Sequence, residues 1–234
     1  MKNWILLILV SILISCTSKK EKIRSKNQNQ SSTKEVNKKL SGKEIIDSLE
    51  KLGFFALTDK NELQEVKIDF EKSYVESNFF QGKLRGETTD FKDNRFYWID
   101  CEELFEVGGL TEYLSHVQRS FKKLGLKLEF NKEKSEQNQN SWKHTIELNG
   151  NEYVAFDGQF SDLDWGIAYV NFIEMLNSEL RKQGSNEQFY PISCGNNGSF
   201  VLLTTKQFDF VSKNYPNDNE HPSEISSWKR INGL

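Results

Sequence analysis

The chain has 234 residues, with 31 Lys/Arg against 34 Asp/Glu and a formal net charge of −3. Residues 1–40 hold nine of those cations and two of the acids, so residues 41–234 alone carry −10, which argues against nucleic acid as a partner. Those 194 residues are ample for one domain and short for two, and an aromatic content of 12% promises a substantial core.

Lys2 opens the chain and Trp4 to Ile14 form an apolar run of 11 residues. That length suits the hydrophobic segment of a signal peptide and falls well short of the roughly 20 residues that span a bilayer. The run closes as Leu13-Ile14-Ser15-Cys16. This box, Leu, a tolerated residue, a small residue and Cys, resembles the lipobox of bacterial lipoproteins. The resemblance covers residues 1–16 only. It implies a signal peptide over 1–15, removed on processing, and a Cys16 that carries a diacylglyceryl thioether and an acylated amine. Two or more acyl chains hold a protein firmly at a membrane, where one does not.

Residues 17–40 contain eight Lys/Arg and two Glu among Asn, Gln, Ser and Thr. So few apolar groups cannot offset the entropy of ordering, so 16–40 reads as the lipidated Cys and a disordered basic tether. Thr17 after the Cys resembles the outer-membrane sorting pattern of such lipoproteins, and no acidic run follows it. The expected location is the cell envelope, lipid-anchored at the outer membrane and facing the periplasm.

From Ser41 the signals become those of a folded domain. Ser41-Gly-Lys-Glu44 fits a capping box, Ile45, Ile46, Leu49 and Leu52 share a helical face, and Gly53 can close the helix. A second helix starts near Asp59, with Leu63, Val66, Phe70 and Tyr74 inward. NRFYWID, 94–100, reads as a strand. Leu110, Leu114, Val117, Phe121 and Leu124 form a helical stripe ended by Gly125. LKLEF, 126–130, alternates as a strand does, and the polar stretch 131–141 reads as a loop. Asn149-Gly150 between WKHTIEL and NEYVAF predicts a hairpin with a type I′ turn. A helix follows over about 162–182, apolar on most faces, which suits burial against a sheet. QFYPI and SFVLLT around CGNNG predict a last hairpin before a helix near Gln207. The class is α+β: one domain over 41–234 with a mostly antiparallel sheet packed on helices.

Candidate chemistry is sparse. Cys101 and Cys194 both follow predicted strands; in an oxidising compartment they can pair, and otherwise they are two buried thiols. Cys194 before Gly-Asn-Asn-Gly, with His144 as base, is the pattern a Cys–His hydrolase would need. A lone His on the apolar face of a strand is more often a satisfied core residue, and CGNNG already reads as a turn. His116 and His221 have no companion in the sequence. Acids gather at Asp100, Glu102, Glu103 and Glu106, and again at Asp157, Asp162 and Asp164. Neither group matches a calcium loop, Ser161 with Asp164 reads as a capping box, and a carboxylate pair for hydrolysis is not selected by the spacing. No zinc spacing, phosphate loop or dinucleotide fingerprint occurs, so no metal or cofactor is expected.

The layout DNRFYWIDCEELFEVGG … YPISCGNNGSFVLLT resembles α+β proteins of bacterial lipoprotein and toxin-immunity type, and no functional residue is carried over from that resemblance. The expectation is a lipid-anchored, non-catalytic binding or immunity-type protein. Its surface loops, DCEELFEVGG and DGQFSDLDWG, would face a basic protein partner. The alternative is a periplasmic hydrolase using Cys194 with His144, or a carboxylate pair.

Overall fold

A computed structural model describes residues 39–75, 84–86, 90–215 and 221–234. The apolar run, Cys16 and the basic tether lie outside these residues. Ser41 opens helix α1 (Gly42–Lys51) with a reciprocal capping box: its Oγ accepts from Glu44 N at 3.3 Å, and the Glu44 carboxylate accepts from Ser41 N at 2.7 Å. A short 3-10 turn, Phe54–Leu57, leads to α2 (Leu63–Val75). This second helix begins four residues later than Asp59, because the Asp59 carboxylate is taken by Arg85, Arg119 and Lys123 rather than by a helix N-terminus.

Strand β1 (Phe96–Ile99) is followed directly by α3 (Cys101–Phe105) and then α4 (Gly109–Lys123). The hairpin expected at Asn149-Gly150 joins β3 (Ser141–Leu148) to β4 (Asn151–Gln159), with φ of 48° and 82° at the two turn residues, as a type I′ turn requires. Beyond it come α5 (Asp164–Lys182), β5 (Glu187–Ser193), β6 (Gly198–Thr204), α6 (Thr205–Asn214) and α7 (Ile225–Ile231).

Three readings of the sequence are corrected. Residues 131–137, expected as a loop, belong to strand β2 (Phe130–Gln137), whereas 126–129 are extended without a strand partner. Strand β2 is an edge strand, exposed along most of its length, so its residues are polar and its pairing comes from the β3 backbone. Charges across the pair, Lys132 with Glu147 at 2.8 Å, support the register and discourage further edge pairing. The alternation of LKLEF reflects packing alone: Leu128 is buried, while the backbone of 127 and 129 donates to the side chains of Gln183 and Asn149. DCEELFEVGG, expected as a surface loop, holds helix α3 with Cys101 and Leu104 buried.

The described residues form two three-stranded antiparallel sheets, β1-β6-β5 and β2-β3-β4, with seven α-helices, so the chain is an α+β single domain. The first sheet is buried on both faces. Phe96, Tyr190, Val201 and Leu203 pack on α1, α2 and α6, and Tyr97, Phe189, Phe200 and Leu202 pack on α4 and α5. Helix α5 lies between the two sheets and is tied to both: Asn171 Nδ2 donates to Ala155 O of β4, and Asn177 exchanges hydrogen bonds with the backbone of Phe189 in β5. Hence its apolar residues extend nearly all round. Among the described residues no helix is long and apolar enough to cross a membrane.

One charged side chain sits at the centre. Arg95 is 1% exposed. Its guanidinium donates to Phe54 O (2.5 Å), Leu202 O (3.0 Å) and Glu187 Oε2 (2.9 Å), and its charge lies 5.3 Å from the Phe54 ring centroid. Asp93 is buried beside it, accepting from Arg95 N at 2.8 Å and Thr58 Oγ1 at 2.9 Å; burial pushes its carboxyl above the usual range against these bonds. Removing one partner of a buried pair leaves an uncompensated charge. Arg95→Met should therefore lower unfolding stability by about 3–5 kcal/mol in urea denaturation. Adding Glu187→Gln to that variant should recover about 1 kcal/mol or more by removing the stranded carboxylate. Full recovery, or no loss in the single variant, would show that Arg95 is dispensable.

Candidate functional site

The end of β1 carries the densest set of the residues singled out above. Asp100 caps α3, its Oδ1 accepting from Glu102 N at 2.9 Å and Glu103 N at 3.3 Å. Tyr113 on α4 accepts from Asp100 N at 2.9 Å and donates to Glu103 Oε2 at 2.7 Å; burial first, and this carboxylate second, push its hydroxyl pKa up. Glu102 accepts from Asn196 Nδ2 at 3.2 Å. Three of the four acids thus have structural partners, and Glu106 points outward at the surface. Gly109 follows, so close to α3 that a Cβ there would lie 1.9 Å from Glu103 O; only glycine lets α3 and α4 meet in this way.

Cys101, the first residue of α3, is joined in a disulfide to Cys194, with Cα atoms 5.9 Å apart and Cys101 N donating to Gly195 O at 3.0 Å. Closing a loop with a sequence separation of 93 restricts the unfolded chain by about 4–5 kcal/mol on loop-closure entropy. The bond also removes the thiolate that a Cys–His reaction needs.

His144 is placed elsewhere and differently engaged. It is 1% exposed, stacked on Trp142 with ring centroids 4.9 Å apart, and its Nε2 lies 2.8 Å from Glu133 Oε1. Glu133, on β2, received no attention in the sequence because it sits in a polar stretch. Besides His144 it accepts from Gly108 N at 2.7 Å, Thr111 N at 3.3 Å and the Thr111 hydroxyl, so it caps α4 from 22–25 residues away. Burial raises its pKa, but the hydrogen bonds from His144, Thr111 and Gly108 outweigh that and hold it at about 2. His116 also has a companion that the sequence did not reveal, Asp90 Oδ1 at 2.8 Å from Nδ1, and His221 Nδ1 lies 2.8 Å from Pro222 O.

The second acidic group brackets the start of α5. Ser161 N and Oγ donate to the Asp164 carboxylate at 3.0 and 2.7 Å, and Leu163 N donates to Ser161 Oγ at 3.2 Å, so the capping box is half formed, with Leu163 in place of Asp164 as the donor. Asp164 is buried by this, while Asp157 and Asp162 are exposed. Between and beside them stand Phe160, Leu163 and Trp165, exposed by 42, 42 and 38%. Phe160 N donates to Asn140 O at 3.1 Å, which ties this segment to the β2–β3 turn. No group of three or more His, Cys, Asp or Glu is arranged to hold a metal among the described residues. A cleft of about 600 Å³ lies between β4, α5 and α7, with Tyr153, Met175, Ile225, Glu174 and Lys229 in its wall; Glu174 pairs with Lys229 at 2.8 Å.

The sign of the Glu133 effect on stability follows from its folded value of about 2 against an ordinary 4.5. Its contribution is complete above about pH 5 and is lost as pH falls toward 2. Glu133→Gln should lower the midpoint of thermal unfolding near pH 7, by about 1–3 kcal/mol in stability, and the gap to the native chain should close as pH is taken from 5 to 2. A gap independent of pH would assign the loss to packing instead.

No protein-family model, no curated protein and no solved structure matches this chain.

Proposed function

We propose that the chain is a lipid-anchored envelope protein, held through Cys16, whose folded domain binds a basic protein partner without catalysis, in the manner of an immunity-type inhibitor. The observation that carries this reading is the segment 157–165. It displays Phe160, Leu163 and Trp165 on the surface beside two exposed carboxylates, Asp157 and Asp162. Single exposed apolar residues are ordinary on a protein surface. Three within six residues, on a backbone fixed by Ser161, Asp164 and Asn140, make a preorganised patch with little ordering entropy left to lose on binding. Aromatic anchors with an acidic rim suit a basic partner: the charge speeds encounter and the rings supply buried area. The net charge of −10 over residues 41–234 favours the same sign of partner. The Cys194–His144 pair offers no competing reading, since the Cys194 sulfur is bonded to Cys101 and His144 faces Glu133.

Two outcomes are expected. Mass spectrometry of the processed protein should find acyl chains on an N-terminal Cys16, and Cys16→Ser should leave an unprocessed precursor. An N-terminus elsewhere, or an unmodified Cys16, would refute the anchor. Against native envelope extract, the immobilised protein should retain a basic protein that high salt releases. Phe160→Ser with Trp165→Ser should weaken its capture about 30-fold or more, as expected for two anchor residues. Equal capture by that variant, or a partner of acidic charge, would overturn the proposed surface.

A further inference from the structure

A second cleft, of about 710 Å³, opens where the end of α1, the turn between α5 and β5, and the start of α6 meet. Its wall carries three cations: Lys51, Arg181 and Lys206. Among the described residues none of the three has a carboxylate at ion-pair distance; scattered surface cations such as Lys60, Lys72 and Lys122 share this, but only here do three line one cleft. On a domain of net charge −10, a concave site lined by unpaired positive charge is an exception to the prevailing field. One acid, Glu187, also lines the cleft, but its two oxygens face the Arg95 guanidinium at 2.9 and 3.3 Å, which neutralises it.

The remaining lining is polar. Ser185, Asn186 and Thr205 add hydroxyl and amide groups, Leu52 is the single apolar residue of the wall, and no aromatic ring lines it among the described residues. The apolar part of the wall is Leu52 and the aliphatic stems of charged and polar side chains, and a nucleobase would find no ring to stack on. The volume falls in the range of small-molecule pockets and exceeds what one phosphate needs. We infer that this cleft binds a small, multiply charged oxyanion, bearing two or three phosphate or carboxylate groups held by Lys51, Arg181 and Lys206. A guanidinium can meet such a group bidentately and lysines act as point charges; Arg181 stands at the edge of this cleft and of the one beside Glu174. The site is opposite in charge to segment 157–165 and uses none of its residues, so it stands independently of the partner-binding reading.

Calorimetric titration of the full chain at low salt with pyrophosphate, and separately with citrate, tests this. One saturable site is expected for at least one of the two ligands. Preference for pyrophosphate assigns the site to phosphate groups, preference for citrate to carboxylates. Arg181→Ala, and Lys51→Ala with Lys206→Ala, should each weaken binding about tenfold or more. Lys122→Ala, which removes an exposed charge on α4, should leave it unchanged within about twofold. All four positions are exposed, so circular dichroism should report an unaltered fold. No saturable heat with either ligand, unchanged binding in the cleft variants, or an equal loss in Lys122→Ala would overturn the inference.

Discussion

Arg95 is the constraint around which the other parts are arranged. A guanidinium removed from water must have nearly all its donors met, and the chain meets them from three separate elements: the 3-10 turn, the central strand β6 and the start of β5. The turn at Phe54 therefore cannot shift against the sheet without stranding a buried charge. The flanking residues extend the same logic. Asn94 Nδ2 donates to Leu57 O at 2.7 Å, and Asn94 O receives Ser120 Oγ at 2.5 Å and Tyr97 OH at 3.0 Å. Three consecutive residues, Asp93, Asn94 and Arg95, thus join the N-terminal helices, the first sheet and α4 by polar contacts inside an apolar interior. Such a network is costly when incomplete, which restricts the fold to one arrangement of its layers.

A parallel device joins the second sheet to the helices. Glu133 reaches from an exposed edge strand to the N-terminus of α4 and to His144 on the neighbouring strand, while Phe105 of α3 packs edge-on against Trp142 at 4.4 Å and Phe156 at 5.0 Å. Helix α5 fills the space between the sheets with its apolar sides and fixes its rotation with Asn171 and Asn177. The interior is specified by a few polar contacts set in a large apolar volume.

How much of this was legible in the sequence depended on the distance between cause and effect. Ser41 with Glu44 and Asn149 with Gly150 carry their reasons within four residues, and the helix and hairpin they announce are present. Strand β2 was illegible because its stabilising partner is a different strand, and a solvated edge strand has the composition of a loop. Glu133 and Arg95 are illegible for the same reason: their partners lie 11–25 and 41–107 residues away, and nothing local distinguishes them from surface charges. The capping box of Thr204 with Gln207 is local, yet the sequence reading placed only a helix near Gln207, after the second strand of the last hairpin. Helix α7 escaped notice because its seven residues bury only Trp228, too few to set a period. Of the candidate residues, the sequence marked Cys101, Cys194 and the 157–165 segment, but the polar cleft edged by Lys51, Arg181 and Lys206 joins positions 155 apart that no spacing rule connects.

The Cys101–Cys194 bond has a consequence for how the molecule comes apart. It turns residues 101–194 into a covalent ring that contains β2, β3, β4 and α5. A protease that cuts the backbone once within that ring, for instance at the exposed turn 138–140, opens the ring but releases no fragment. The N-terminal and C-terminal portions remain one covalent object, and the β1-β6-β5 sheet keeps its outer strands linked on either side of β6. Separating the two portions after a cut in the ring takes a reductant, and releasing a piece of the ring takes a second cut within it. The surface presented by the 157–165 segment therefore tolerates a nick nearby that would detach it from an unbridged domain.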